Sequence, residues 1–193
     1  MDYKQYFIKN RINNIESFFK YTRDGFKYGW MDQNNNFHKG VNSGKTYCLQ
    51  RPDELIKNRI GICWDMTELC RCWFSLMTQF KYETYYIFYD DNMGCPSHSI
   101  LVFYNNDSVF WFEPMFNNED FYYSGIHKYS NIYNLLNDVK RVFIKNAILK
   151  EAIPEKYDDS KIYLYKYSKP QYHINGYEMR NHIDNSIIML SVK

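Results

Sequence analysis

Among the 193 residues, those whose type and spacing suit chemistry are Cys63, His98 and Glu113. Met66, Leu69, Cys70, Trp73, Phe74 and Met77 recur every three or four positions, and the helix they predict runs from about Cys63 to Gln79. Cys63 then stands in the first turn, where backbone N–H groups lack intrahelical acceptors and the dipole favours an anion. Such a place enlarges the thiolate fraction, and the thiolate is the nucleophilic form. Gly61 is expected to let the backbone turn sharply into the helix. Taken alone, a cysteine at a helix start also fits a structural role.

The partner groups come from a hairpin. Ser97 to Tyr104 and Ser108 to Glu113 read as strands, and Asn105-Asn106 between them is a turn signal because Asn tolerates positive φ. A two-residue turn there pairs Tyr104 with Asp107 and sets His98 opposite Glu113. A turn at Asn106-Asp107 instead sets His98 opposite Met115. In the first register His98 and Glu113 share a face with Ile100, Val102, Val109 and Trp111. An imidazole and a carboxylate on an apolar face are costly to bury apart, and pairing them removes that cost. A thiolate at the other ring nitrogen completes a nucleophile, a base and an orienting acid. The alternative reading is a structural His–Glu pair at the end of a sheet.

The stretch from Arg51 to Phe116 resembles the transglutaminase-like branch of the papain-like cysteine enzymes. Its matching pieces are Arg51-Pro52-Asp53-Glu54-Leu55, Gly61-Ile62-Cys63-Trp64-Asp65-Met66, Ser97-His98-Ser99 and Trp111-Phe112-Glu113. The resemblance implies Cys63 as nucleophile, His98 as base and Glu113 as orienter. The departure is Glu113 where the family usually carries Asp, one methylene shorter. The order of elements reads as an α+β domain, and the resemblance implies that it is papain-like or transglutaminase-like, with the nucleophile-bearing helix packed on an antiparallel sheet. The length suggests a single domain over 1–193, with a core at about 45–168 between an N-terminal helical extension and a C-terminal one.

The expected activity is thiol-dependent acyl transfer through a thioester, with a cysteine protease or amidase favoured and a protein or peptide as substrate. Transglutaminase cross-linking or deamidation uses the same three residues. A transglutaminase-like binding or regulatory module with little or no catalysis is the reading from another class. The Cys63 backbone N–H is one candidate oxyanion donor. Gln50, the nearest upstream amide, is the second, and Trp30 is a further N–H donor.

Other elements frame this centre. Residues 2–23 show helical spacing through Tyr6, Phe7, Ile12, Ile15, Phe18 and Phe19, and 24–50 read as loop. Pro52 opens a short helix to about Arg59, which Gly61 breaks. Tyr82 to Tyr89 reads as a strand, 131–150 as a helix, Lys161 to Tyr167 as a strand and Ile187 to Val192 as a last strand.

Composition narrows the partners. Net charge is +2 and no block of like charge occurs, which argues against nucleic acid and membrane. Ile100 to Tyr104 and Tyr85 to Tyr89 are far below the ~20 residues of a membrane span. Five cysteines without a framework, behind an opening that lacks an apolar leader core, lead to the expectation of free thiols in the cytoplasm. No cofactor and no metal are expected. Gly40 to Thr46 is one residue short of a phosphate loop, and Cys70 and Cys72 do not share a helical face. Cys95 and His98 have ligand-like spacing, which Cys63 could join, without the two clean pairs a structural zinc wants. His38, His127, His173 and His182 lack companions that suggest chemistry, and Tyr85, Tyr86, Phe88 and Tyr89 read as core.

Overall fold

The computed structural model describes residues 1–40, 44–90, 96–114 and 123–185. The N-terminal helical pattern divides into α1 (Tyr3–Lys9) and α2 (Ile15–Gly25). Arg11, at φ 59°, turns the chain between them, and Asn14 caps α2 by accepting from Ser17 N. The segment read as loop contains three two-residue strands, β1 (Lys27–Tyr28), β2 (Trp30–Met31) and β3 (Phe37–His38). α3 (Pro52–Asn58) follows, and Arg59 ends it in the left-handed conformation, two residues before the glycine expected to do so.

β4 (Ile60–Gly61) pairs with β1 in parallel and leads into α4 (Cys63–Met77). Gly61 serves close packing rather than a sharp turn: a Cβ there would lie 2.7 Å from Leu55 and 2.9 Å from the Asp65 side chain. β5 (Tyr82–Tyr89), β6 (Ser97–Asn105), β7 (Ser108–Glu113) and β8 (Gly125–Tyr129) come next. After α5 (Ile132–Leu149), β9 (Ile162–Tyr167) and α6 (Gly176–Asp184) complete the described chain. β8 and α6 are additions to the sequence reading, and the strand expected at Ile187 to Val192 lies outside the described residues.

The architecture is α+β around a five-stranded sheet in the order β8-β7-β6-β5-β9, with every neighbouring pair antiparallel. Side chains alternate between its faces, as a pleated strand requires. Ile100, Val102, Val109 and Trp111 pack with Leu135, Leu136, Val139 and Val142 of α5. Leu101, Phe103 and Phe112 pack on the other face with Met66, Leu69, Trp73 and Phe74 of α4. α1 and α2 add Phe7 and Phe18 to that second cluster. The Phe18 ring stacks on Trp73 at 4.4 Å, and Trp73 Nε1 donates to Ile12 O at 2.9 Å. Among the described residues no helix is long and apolar enough to cross a membrane.

Candidate active site

The start of α4 is held by Asp65, at its third position. Ile62 N donates to Asp65 Oδ2 at 2.9 Å, which supplies an acceptor at the helix entrance. The other oxygen accepts from Gln50 N at 2.9 Å and Tyr47 Oη at 3.0 Å. One buried carboxyl thus ties the 47–50 segment to the start of α4. Burial pushes Asp65 up to about 7 against the pull of these donors. An acidic residue at that helical position is one half of a capping-box pattern, the signal by which the sequence could have found Asp65. Its link to Tyr47 carries no such signal.

Cys63 is the first residue of α4, half-buried, with a backbone N–H that has no acceptor inside the helix. Burial pushes Cys48 and Cys70 upward and Cys72 up to about 11.

The β6–β7 register corrects one expectation. Asn105 pairs with Ser108 and Leu101 with Phe112, so the turn is Asn106-Asp107, with Asn106 at φ 51°. Continuing that ladder sets Ile100, rather than His98, opposite Glu113. Both Asn-Asn and Asn-Asp suit a tight turn, and local chemistry does not choose between them. Sliding a two-residue turn by one position shifts the pairing by two, which leaves every side chain on its expected face. His98 and Glu113 are therefore diagonal neighbours, a separation of about 7–8 Å that long side chains bridge. The extra methylene of Glu113 spans it: His98 Nε2 lies 2.8 Å from Glu113 Oε2.

Glu113 is buried, and its Oε2 also accepts from Trp111 Nε1 at 3.0 Å. The His98 side chain is 14% exposed. Burial opposes its charge, but the Glu113 charge and the hydrogen bonds the ring makes to Cys63 and Glu113 outweigh it and push the imidazole up to about 10. His98 and Glu113 are thus in direct hydrogen-bond contact, and a hydrogen bond with Cys63 is a further cause of the raised imidazole, which leaves Nδ1 as the ring nitrogen available to the sulfur.

The two oxyanion candidates beyond Cys63 part here. Gln50 is buried, its Nε2 donates to Ile60 O at 2.8 Å, and its Oε1 accepts from Asn58 Nδ2 at 2.8 Å. One end of that amide thus meets the β4 backbone and the other the Asn58 side chain at the end of α3. Trp30 is buried in a cluster with Ile62 and Trp64, against which Cys63 packs. Its Nε1 has no hydrogen-bond partner among the described residues. His38, which showed no companion in sequence, stacks on Trp30 at 4.2 Å and bonds Asp32 at 2.9 Å.

Gly40 to Thr46 is described only in part, and there Gly44 O accepts from Gly176 N at 2.7 Å. Among the described residues no cluster of His, Cys, Asp and Glu could hold a metal ion. Cys95 lies outside the described residues. No protein-family model, no curated protein and no solved structure matches this chain.

Proposed function

We propose that this chain is a thiol-dependent acyl-transfer enzyme of transglutaminase-like, papain-like type, acting foremost as a cysteine protease or amidase on peptide or side-chain amides. The observation that carries the reading is the single His98 ring held between Cys63 and the buried Glu113. A raised imidazole beside a thiol at a helix start favours the thiolate–imidazolium pair.

The Cys63 thiolate attacks the amide carbonyl carbon, forming a C–S bond and placing the charge on the carbonyl oxygen. The Cys63 N–H, the second hydrogen of Gln50 Nε2 and the unpaired Trp30 indole N–H are the candidate donors to that oxygen. His98 Nδ1 then protonates the leaving amine as the C–N bond breaks, which leaves a thioester. Neutral His98 next takes a proton from water as it attacks, and collapse of the adduct releases the acid and the thiolate. An amine in place of water gives transamidation with the same proton transfers. Glu113 keeps the ring oriented and stabilises its charged form.

Alkylation by iodoacetamide tests this without a substrate. Cys63 should be carboxamidomethylated well below pH 8, while Cys48, Cys70 and Cys72 stay unlabelled. His98→Ala should remove that low-pH reactivity. If wild-type Cys63 reacts only as its neighbours do, the enzyme reading fails and a binding module remains.

A further inference from the structure

Behind Cys63 and His98 lies a buried chain of hydroxyl groups that touches neither reacting atom. Thr67, one turn into α4, donates from Oγ1 to Cys63 O at 2.8 Å. The same oxygen lies 3.0 Å from Ser99 Oγ, and Ser99 Oγ lies 2.5 Å from Tyr167 Oη. Thr67 and Ser99 are 4% exposed and Tyr167 is 3% exposed, so water does not share these bonds.

A hydroxyl carries one hydrogen, and that count fixes the direction of the chain. Thr67 gives its hydrogen to the Cys63 carbonyl, so Ser99 must donate to Thr67. Tyr167 must then donate to Ser99. Each O–H points the same way and the chain ends on the nucleophile's own peptide group. Such aligned bonds reinforce one another in a low-dielectric interior. Ser99 is also the residue next to His98 along β6. One end of the chain therefore grips the residue bearing the sulfur, and its middle grips the strand position beside the imidazole.

The far end is held independently. Tyr167 is the last residue of β9, and its carbonyl accepts from Thr84 Oγ1 at 2.7 Å. Arg71 of α4 donates to the same Thr84 oxygen at 2.7 Å, lies over the Tyr167 ring at 5.5 Å, and pairs with buried Glu68 at 3.1 Å. α4 is thus tied to β9 at two successive levels, through Ser99 of β6 and through Thr84 of β5.

We infer that Thr67, Ser99 and Tyr167 are positioning residues that set the separation and orientation of the Cys63 and His98 side chains. The inference rests on the acyl-transfer reading and assigns to β9 a part in the site. A thiolate–imidazolium pair depends on the spacing of its two charges, so loosening the chain should lower the thiolate fraction at a given pH.

The test is the pH profile of Cys63 alkylation by iodoacetamide in the full chain, with melting temperatures measured alongside. Thr67→Val and Ser99→Ala should shift the acid-side midpoint upward and lower the rate at pH 6 about fivefold, the size of one lost hydrogen bond. Thr67→Ser keeps the hydroxyl and should restore the profile. Tyr167→Phe keeps the ring in its packing and should shift the midpoint in the same direction by less. It also serves as the deciding variant should either of the others fail to fold. Folded variants that melt earlier yet keep the wild-type midpoint would show the chain to be structural and overturn the inference. A wild-type profile without low-pH reactivity would instead overturn the acyl-transfer reading itself.

Discussion

At the scale of single residues, the length of Glu113 decides the geometry. Its carboxyl reaches His98 across a diagonal of the hairpin, and the shorter Asp would fall short by about one methylene. Glu113→Asp should therefore weaken the site although it keeps the charge. The His98 imidazole, followed by NMR titration, should titrate below the wild-type value of about 10, and turnover should fall on the order of 100-fold, as for an ångström-scale misplacement. An unchanged titration would mean that the carboxylate does not govern the ring. The same raised value has a consequence for stability. A histidine raised in the folded state binds its proton more tightly than in the unfolded chain. The stabilisation is full below pH 6.5 and is lost as pH rises towards about 10. Chemical denaturation of wild type should show this decline across that window, and His98→Ala should abolish it.

At the scale of elements, the entrance to α4 is the weak point that Asp65 secures. Three donors converge on its two oxygens, and Gly61 leaves room for its side chain. Asp65→Ala should cost ~2 kcal/mol or more, because it removes a helix cap and leaves buried donors unmatched. The loss should be accompanied by reduced low-pH alkylation of Cys63, since the first turn then frays. Thermal melting together with iodoacetamide labelling checks both, and an unchanged melting temperature would refute the cap's role. The pH sign for Asp65 is simple. Its folded value of about 7 lies above the ordinary 3.8, so the contribution is greatest below about pH 4 and declines as pH rises through 7.

At the scale of the whole molecule, the site depends on chain segments far from it in sequence. α1 and α2 are packed into the core that supports α4, through Phe7, Phe18 and the Trp73–Ile12 hydrogen bond. Phe18→Ala should cost ~3–5 kcal/mol, the usual loss for emptying a buried aromatic site. Denaturant unfolding measures it, and a loss below ~1 kcal/mol would show that the N-terminal helices are peripheral. On the opposite edge, β9 adds the strand that carries Tyr167 beside β5.

What the sequence determined by itself follows from short-range rules. The period of Met66, Leu69, Trp73 and Phe74 placed Cys63 at a helix start, and strand alternation put His98 and Glu113 on one face. Both patterns survive small errors of register, because face and helical phase depend only on spacing within an element. The turn at Asn106-Asp107 was not decided by its residues, since either neighbouring dipeptide bends equally well. Only the tertiary structure made the diagonal pairing and brought Tyr167 behind the site. Those arrangements rest on contacts between residues distant in the chain, where no local period carries the information. They are settled by which polar groups find partners when the helices close on the sheet.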